Sequence, residues 1–90
     1  MRQFHVEKKL SEKIEKLAAR DKAAYEALAA KMDEIINSPD IEHYKNLRKP
    51  LHAYKRVHFM KSFVLIFRHD PSTDTIYFRD FDHHDDVYRA

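Results

Sequence analysis

Ninety residues, 43% of them hydrophobic, provide for one small domain, and a chain of this size buries only roughly 60–65% of the surface it exposes when unfolded. There is no cysteine, which excludes disulfides, thiol nucleophiles and thiolate metal sites; there is no glycine, which excludes phosphate-cradling GxGxxG and GxxxxGK loops and tight Asn-Gly hairpins. The net charge of +2 is unevenly spread: residues 1–42 carry 8 Lys and Arg against 9 Asp and Glu, residues 43–69 carry 7 basic residues and no acid, and residues 70–90 carry 2 basic against 6 acidic.

Residues 2–7 alternate, with Phe4 and Val6 on one face and Gln3 and His5 on the other, as in a short strand. The period then changes. Leu10, Ile14, Leu17 and Ala18 form the stripe of an amphipathic helix. Asp21 is the expected N-cap of a second helix, whose buried face is Tyr25, Leu28, Ala29, Met32, Ile35 and Ile36, and Asn37-Ser38-Pro39-Asp40 ends it. So short a connection makes the two helices an antiparallel hairpin.

Residues 41–53 are irregular by pattern. Residues 54–59 alternate again, Tyr54, Arg56 and His58 against Lys55, Val57 and Phe59. Residues 63–67, Phe-Val-Leu-Ile-Phe, are apolar throughout and fit a central strand covered on both faces. Residues 70–74 are a loop by composition. Residues 75–81 alternate a third time, and the tail from Asp82 has room for one helical turn. Tyr54, Phe63, Phe67 and Met32 are assigned to the core.

The predicted order over residues 1–90 is β-α-α-β-β-β. This is an α+β domain with the helical hairpin packed on one face of a mainly antiparallel four-stranded sheet. Its other face is open, and Arg56 and His58 project there if Val57 and Phe59 face the helices. No apolar run nears the roughly 18–20 residues of a membrane span, and the N-terminus lacks the apolar centre of a signal peptide. A cytoplasmic protein with no membrane partner is expected.

The carboxylate-free block of residues 43–69 suits a polyanion, and the alternative is a solvated face neutralised by the acidic tail. Cleaving RNA requires a base for the 2′-hydroxyl, an acid for the departing 5′-oxygen and cations for the phosphorane. His58 beside Arg56, the nearby Lys49, Lys55 and Lys61, and His83 and His84 ahead of Tyr88 are candidates for these parts. Adjacent His83 and His84 point in different directions, so at most one shares a site with His58. The run Asp82-His83-His84-Asp85-Asp86 also has the composition of a metal site. It has no HExxH spacing, however, and neighbouring residues rarely chelate one ion, so no metal and no other cofactor is expected.

The stretch from Leu47 to Phe67 (LRKPLHAYKRVHFMKSFVLIF), followed by residues 82–88 (DHHDDVY), resembles the RelE/ParE toxin superfamily and is most similar to its YafQ-type mRNA interferases. The resemblance implies the β-α-α-β-β-β fold and a toxin of a type II toxin–antitoxin pair. It also implies metal-independent cleavage of mRNA in the ribosome, with a cognate antitoxin, the ribosome and mRNA as partners. On that pattern His58 is the strand histidine of the site, His84 the histidine four residues before the C-terminal aromatic, and Tyr88 that aromatic. Lys49, Lys55, Arg56, Lys61 and Arg79 would bind RNA. Two positions depart from the pattern: Lys49 stands for a histidine and Ser62 for an aspartate. These departures sustain the alternative of a RelE/ParE-fold toxin, or a degenerate one, that acts by binding a protein (antitoxin or gyrase) without nuclease activity.

Overall fold

The alternating and periodic segments form β1 (Gln3–Val6), α1 (Lys8–Arg20), α2 (Lys22–Ile36), a 3-10 turn (Ile41–His43), β2 (Lys45–Asn46), β3 (Lys55–Phe59), β4 (Phe63–Asp70) and β5 (Thr75–His83) in a computed structural model that describes residues 1–47 and 53–85. The expected helical hairpin and run of strands are both present. Asp21 separates the helices as predicted. Its backbone is extended, its N–H still donates to Leu17 O, and its carboxylate accepts from Ala24 N at 3.1 Å. One residue thus closes α1 and caps α2.

The sheet order is β1-β5-β4-β3-β2, with β1 parallel to β5 and every other pair antiparallel. The hairpin α1–α2 belongs to the crossover that a parallel connection requires. Five strands are present where four were expected. The additional one, β2, pairs Lys45 with Arg56 and Asn46 with Lys55, and two residues are too few to show an alternation.

Leu10, Leu17, Ala24, Leu28, Ile35 and Ile36 from the helices meet Leu65, Phe67, Ile76, Phe78 and Phe81 from the sheet. Tyr25, Ala29 and Ala18, expected in the buried stripes, are exposed, and Met32 is half-buried. The hairpin turns only a narrow stripe to the sheet. Its flank, with Met1, Phe4, Ile14, Tyr25, Ala29 and Met32, leaves an apolar groove of about 490 Å³ beside edge strand β1.

A bulge separates Ile66↔Asp80 from Phe67↔Phe78 and leaves Arg79 without an opposite residue. It explains how Phe78 and Phe81, three apart, both enter the core. Without glycine, two turns place other residues in the left-handed region, Met60 (φ 52°) and Asp74 (φ 51°). Asp74 is secured there by Arg2 Nε and His69 Nε2, each 2.8 Å from its carboxylate.

Tyr44 joins the connection after α2 to the core. Its ring meets Phe67 edge-on at 5.5 Å, and its hydroxyl donates to Glu34 at 2.6 Å. That hydrogen bond, with a second from Lys31, holds the Glu34 carboxyl below its ordinary 4.5, while burial, reinforced by Glu34, pushes the Tyr44 hydroxyl up to about 12. Tyr44→Phe is expected to lower unfolding free energy by about 1 kcal/mol at neutral pH. A depressed carboxylate pKa stabilises above its unfolded value and ceases to do so as pH falls through the folded one. The variant's deficit should therefore shrink below pH 4.5, measured by urea titrations at pH 7 and pH 3.5.

Candidate functional site

Parity along β3 sets the site. Lys55, Val57 and Phe59 turn toward the helices, and Arg56 and His58 turn to the opposite face. His58 lies opposite Val64, which lies opposite Asp82, so the end of β5 arrives two strands away. There His84 N donates to Ser62 O at 2.6 Å, which ties the residue after β5 to the β3–β4 turn. The rings of His58 and His84 come within 5.3 Å, inclined by 30°. Val64, fully buried outside the main core cluster, is the apolar neighbour of His58 on this face.

The two rings have different neighbours. Partial burial, then the charges of His84 and Arg56, hold the His58 imidazole below its ordinary 6.5. At neutral pH it is therefore uncharged and has a nitrogen free to take a proton. The Asp85 carboxylate is 3.6 Å from His84 Nδ1. The other acids nearby are partly neutralised from α1, since Lys13 Nζ is 2.7 Å from Asp80 and 4.0 Å from Asp82.

The remaining candidates divide. Arg79 is on the open face, its guanidinium 4.8 Å from the centre of the Tyr54 ring and bonded to the Tyr54 hydroxyl at 3.0 Å. Tyr54, assigned to the core from sequence, is thus part of this face; the signal was present in its parity with Arg56 and His58. Lys61 is exposed in the β3–β4 turn, one residue from the carbonyl that holds His84. Lys55 does not join the group. It is 6% exposed, and its ammonium donates to Tyr44 O (3.2 Å), Asn46 Oδ1 (3.0 Å) and Glu42 Oε2 (3.5 Å). A residue of odd parity on β3 must point inward, and Lys55 secures β2 to β3 instead. His83 turns away from His84, toward Phe63 at 6.1 Å. Lys49 and Tyr88 lie outside the described residues. Among the described residues, no three His, Asp or Glu side chains group to hold a metal ion, and no helix is long and apolar enough to cross a membrane.

No protein-family model matches the sequence. The chain is 46% identical over 89 residues to "Putative toxin RelE4" of Methanocaldococcus jannaschii, covering 99% of this chain and 93% of that protein. It belongs to the RelE-like toxin family. A second relative of this RelE-like chain, an uncharacterized protein of Methanosarcina mazei, is 42% identical over 83 residues, 92% of this chain and 94% of its own. Among solved structures, YafQ of E. coli superposes with a TM-score of 0.73 at 18% identity, covering 99% of this chain and all of its own. The toxin fold also matches a chain of the E. coli RelBE toxin–antitoxin complex, with a TM-score of 0.72 at 15% identity over 92% of this chain and 96% of the other. At those identities the solved structures establish the fold alone.

Lys55→Ala should lower stability by roughly 1–3 kcal/mol, because it removes the buried ammonium that donates to the Tyr44 carbonyl and to Asn46 Oδ1. It should leave RNA affinity per folded molecule unchanged; a selective loss of affinity at unchanged melting temperature would put Lys55 back among the RNA-binding residues.

Proposed function

We propose that this RelE-like toxin is a ribosome-dependent mRNA endonuclease, acting where mRNA is translated in the cytoplasm. The observation that carries the reading is the His58–His84 ring pair, 5.3 Å apart on a sheet face that also presents Arg56 and Arg79. His58, held neutral, takes the proton of a 2′-hydroxyl. The 2′-oxygen attacks the adjacent phosphorus, the bond to the 5′-oxygen breaks, and His84 supplies the proton that the leaving oxygen requires. The products are a 2′,3′-cyclic phosphate and a 5′-hydroxyl. Arg56 stabilises the charge that develops on phosphorus. The strand supplies its own nucleophile, so the reaction needs no metal. The resemblance adds Tyr88 to orient the substrate and Lys49, Lys61 and Arg79 to bind its backbone.

A cognate antitoxin is the second proposed partner. The apolar groove lined by Phe4, Ile14, Tyr25 and Met32 suits the apolar face of a helix, and the RelBE structure pairs a toxin of this fold with its antitoxin. Ser62 favours an alternative reading in which the chain binds proteins and does not cleave: its side chain is a hydroxyl where the YafQ-type pattern has a carboxylate.

Primer extension on translated mRNA after induction should show codon-linked cuts under the nuclease reading. His58→Ala and His84→Ala should each reduce cleavage by roughly 10²–10⁴-fold with melting temperatures preserved; full toxicity of both variants would leave the protein-binding alternative. Because His58 must be unprotonated and its pKa is lowered, the acid limb of single-turnover cleavage should lie below pH 6.5. Arg56→Ala, by removing a charge that repels the imidazolium, should move that limb upward.

A further inference from the structure

The open face carries a second group of side chains, away from the histidine pair, that the proposed reaction does not use. Arg68 on β4 lies opposite Tyr77 on β5, and Tyr77 lies beside His5 on β1. Arg68 has the parity of Val64 and Ile66 on β4, and Tyr77 lies between the inward Ile76 and Phe78, so the row is on the same face as His58. They are stacked: the Arg68 guanidinium sits 4.3 Å from the centre of the Tyr77 ring, and the His5 ring lies 5.3 Å from it, inclined by only 17°. His5 is exposed, and Tyr77 and Arg68 are half-buried. Between this row and the histidines lie Arg79 and Tyr54, a second guanidinium-over-ring pair, and Arg56. From Val64 to Arg68 is four residues, about 13 Å along the strand.

Flat π-surfaces set beside cations are what single-stranded RNA uses when its bases are splayed. Tyr77 is flanked by His5 from β1 and by Arg68 from β4, so a base stacks on the outer face of the exposed His5 ring that Tyr77 backs, and the flanking phosphate meets the guanidinium. The charge fits a polyanion and no basic ligand: residues 43–69, which supply Tyr54, Arg56 and Arg68, contain no carboxylate, and of the acids on β4 and β5, Asp70 lies near Arg68 and Asp80 is bound by Lys13. Continuity with the histidine pair identifies the strand as the one being cut.

We propose that His5, Tyr77 and Arg68 form a base-stacking subsite for an unpaired mRNA nucleotide outside the scissile linkage. The inference rests on the nuclease reading and extends it: the row holds the strand in register while His58 and His84 act on it. A strand too short to reach the row gains nothing from it.

The test uses the full chain and RNA oligonucleotides with 2′-O-methyl riboses, which bind without supplying the attacking hydroxyl. Wild-type affinity should rise between three and seven nucleotides. Tyr77→Ala should weaken the seven-nucleotide complex by roughly 5- to 100-fold and the three-nucleotide complex hardly at all, while Tyr77→Phe retains wild-type affinity. Arg68→Ala should reduce the slope of log affinity against log salt by about 0.7, one phosphate contact on a single strand, and Tyr77→Ala should leave that slope unchanged. Should Tyr77→Ala fold poorly, Tyr77→Trp gives a second readout, fluorescence quenched on addition of the longer strand only. Equal affinity of Tyr77→Ala and wild type for both lengths, or no quenching in Tyr77→Trp, overturns the subsite even where His58→Ala abolishes cleavage. Conversely, length-dependent binding that Tyr77→Ala removes, in a protein whose His58→Ala variant stays fully toxic, upholds the subsite and sinks the nuclease reading.

Discussion

Everything on the open face depends on the pleat of β3 and its pairing with β4. Five consecutive residues alternate between core and exterior, and the register with β4 fixes which way each set faces. A slip of one residue would bring Arg56 and His58 against Leu65 and Phe67 and expose Phe59. Burial of the apolar set resists such a slip. The chemistry outside is therefore held by the packing inside. Val64 takes part in both. It sits in the middle of the sheet, wholly buried and directly opposite His58.

The two neighbouring imidazoles, both exposed, have different neighbours. His58 lies opposite Val64, with Arg56 on its own strand, and His84 lies past the end of β5, with Asp85 beside it. In the proposed reaction such a difference in surroundings lets two groups of one type take opposite roles in proton transfer. The basic residues of the central block do not all reach this surface. Lys55 points to the opposite face, and its ammonium donates to carbonyl and amide oxygens where β2 joins the sheet.

Much of this was legible in the sequence. The strands β1, β3 and β5 announced themselves by alternation, β4 by unbroken apolarity, and the helices by their stripes. The opposition of His58 to Val57 and Phe59 followed from parity alone. The approach of His84 did not, because it depends on β5 extending through His83 and on a backbone bond to Ser62. Tyr54 was misassigned because an aromatic next to a strand is more often core, although its parity pointed outward. Tyr25 was misassigned because an apolar stripe wider than the contact surface looks the same in sequence as one that fits it. The two-residue β2 left no periodic trace.

The bulge at Arg79 has a bearing on how this chain can vary. Before it, inward residues of β5 are even-numbered; after it, they are odd. Deleting Arg79 itself would leave Phe78 and Phe81 two apart and both still inward, at the cost of the bulge and of the Arg79 contact with Tyr54; gaining or losing one residue between Phe81 and His84 would instead turn the end of the strand over and carry the last histidine to the wrong side. The loop at residues 71–74 has no such phase to keep at its exposed tip. Length changes should accordingly accumulate in that loop among descendants of this gene and be purged from the last strand beyond its bulge.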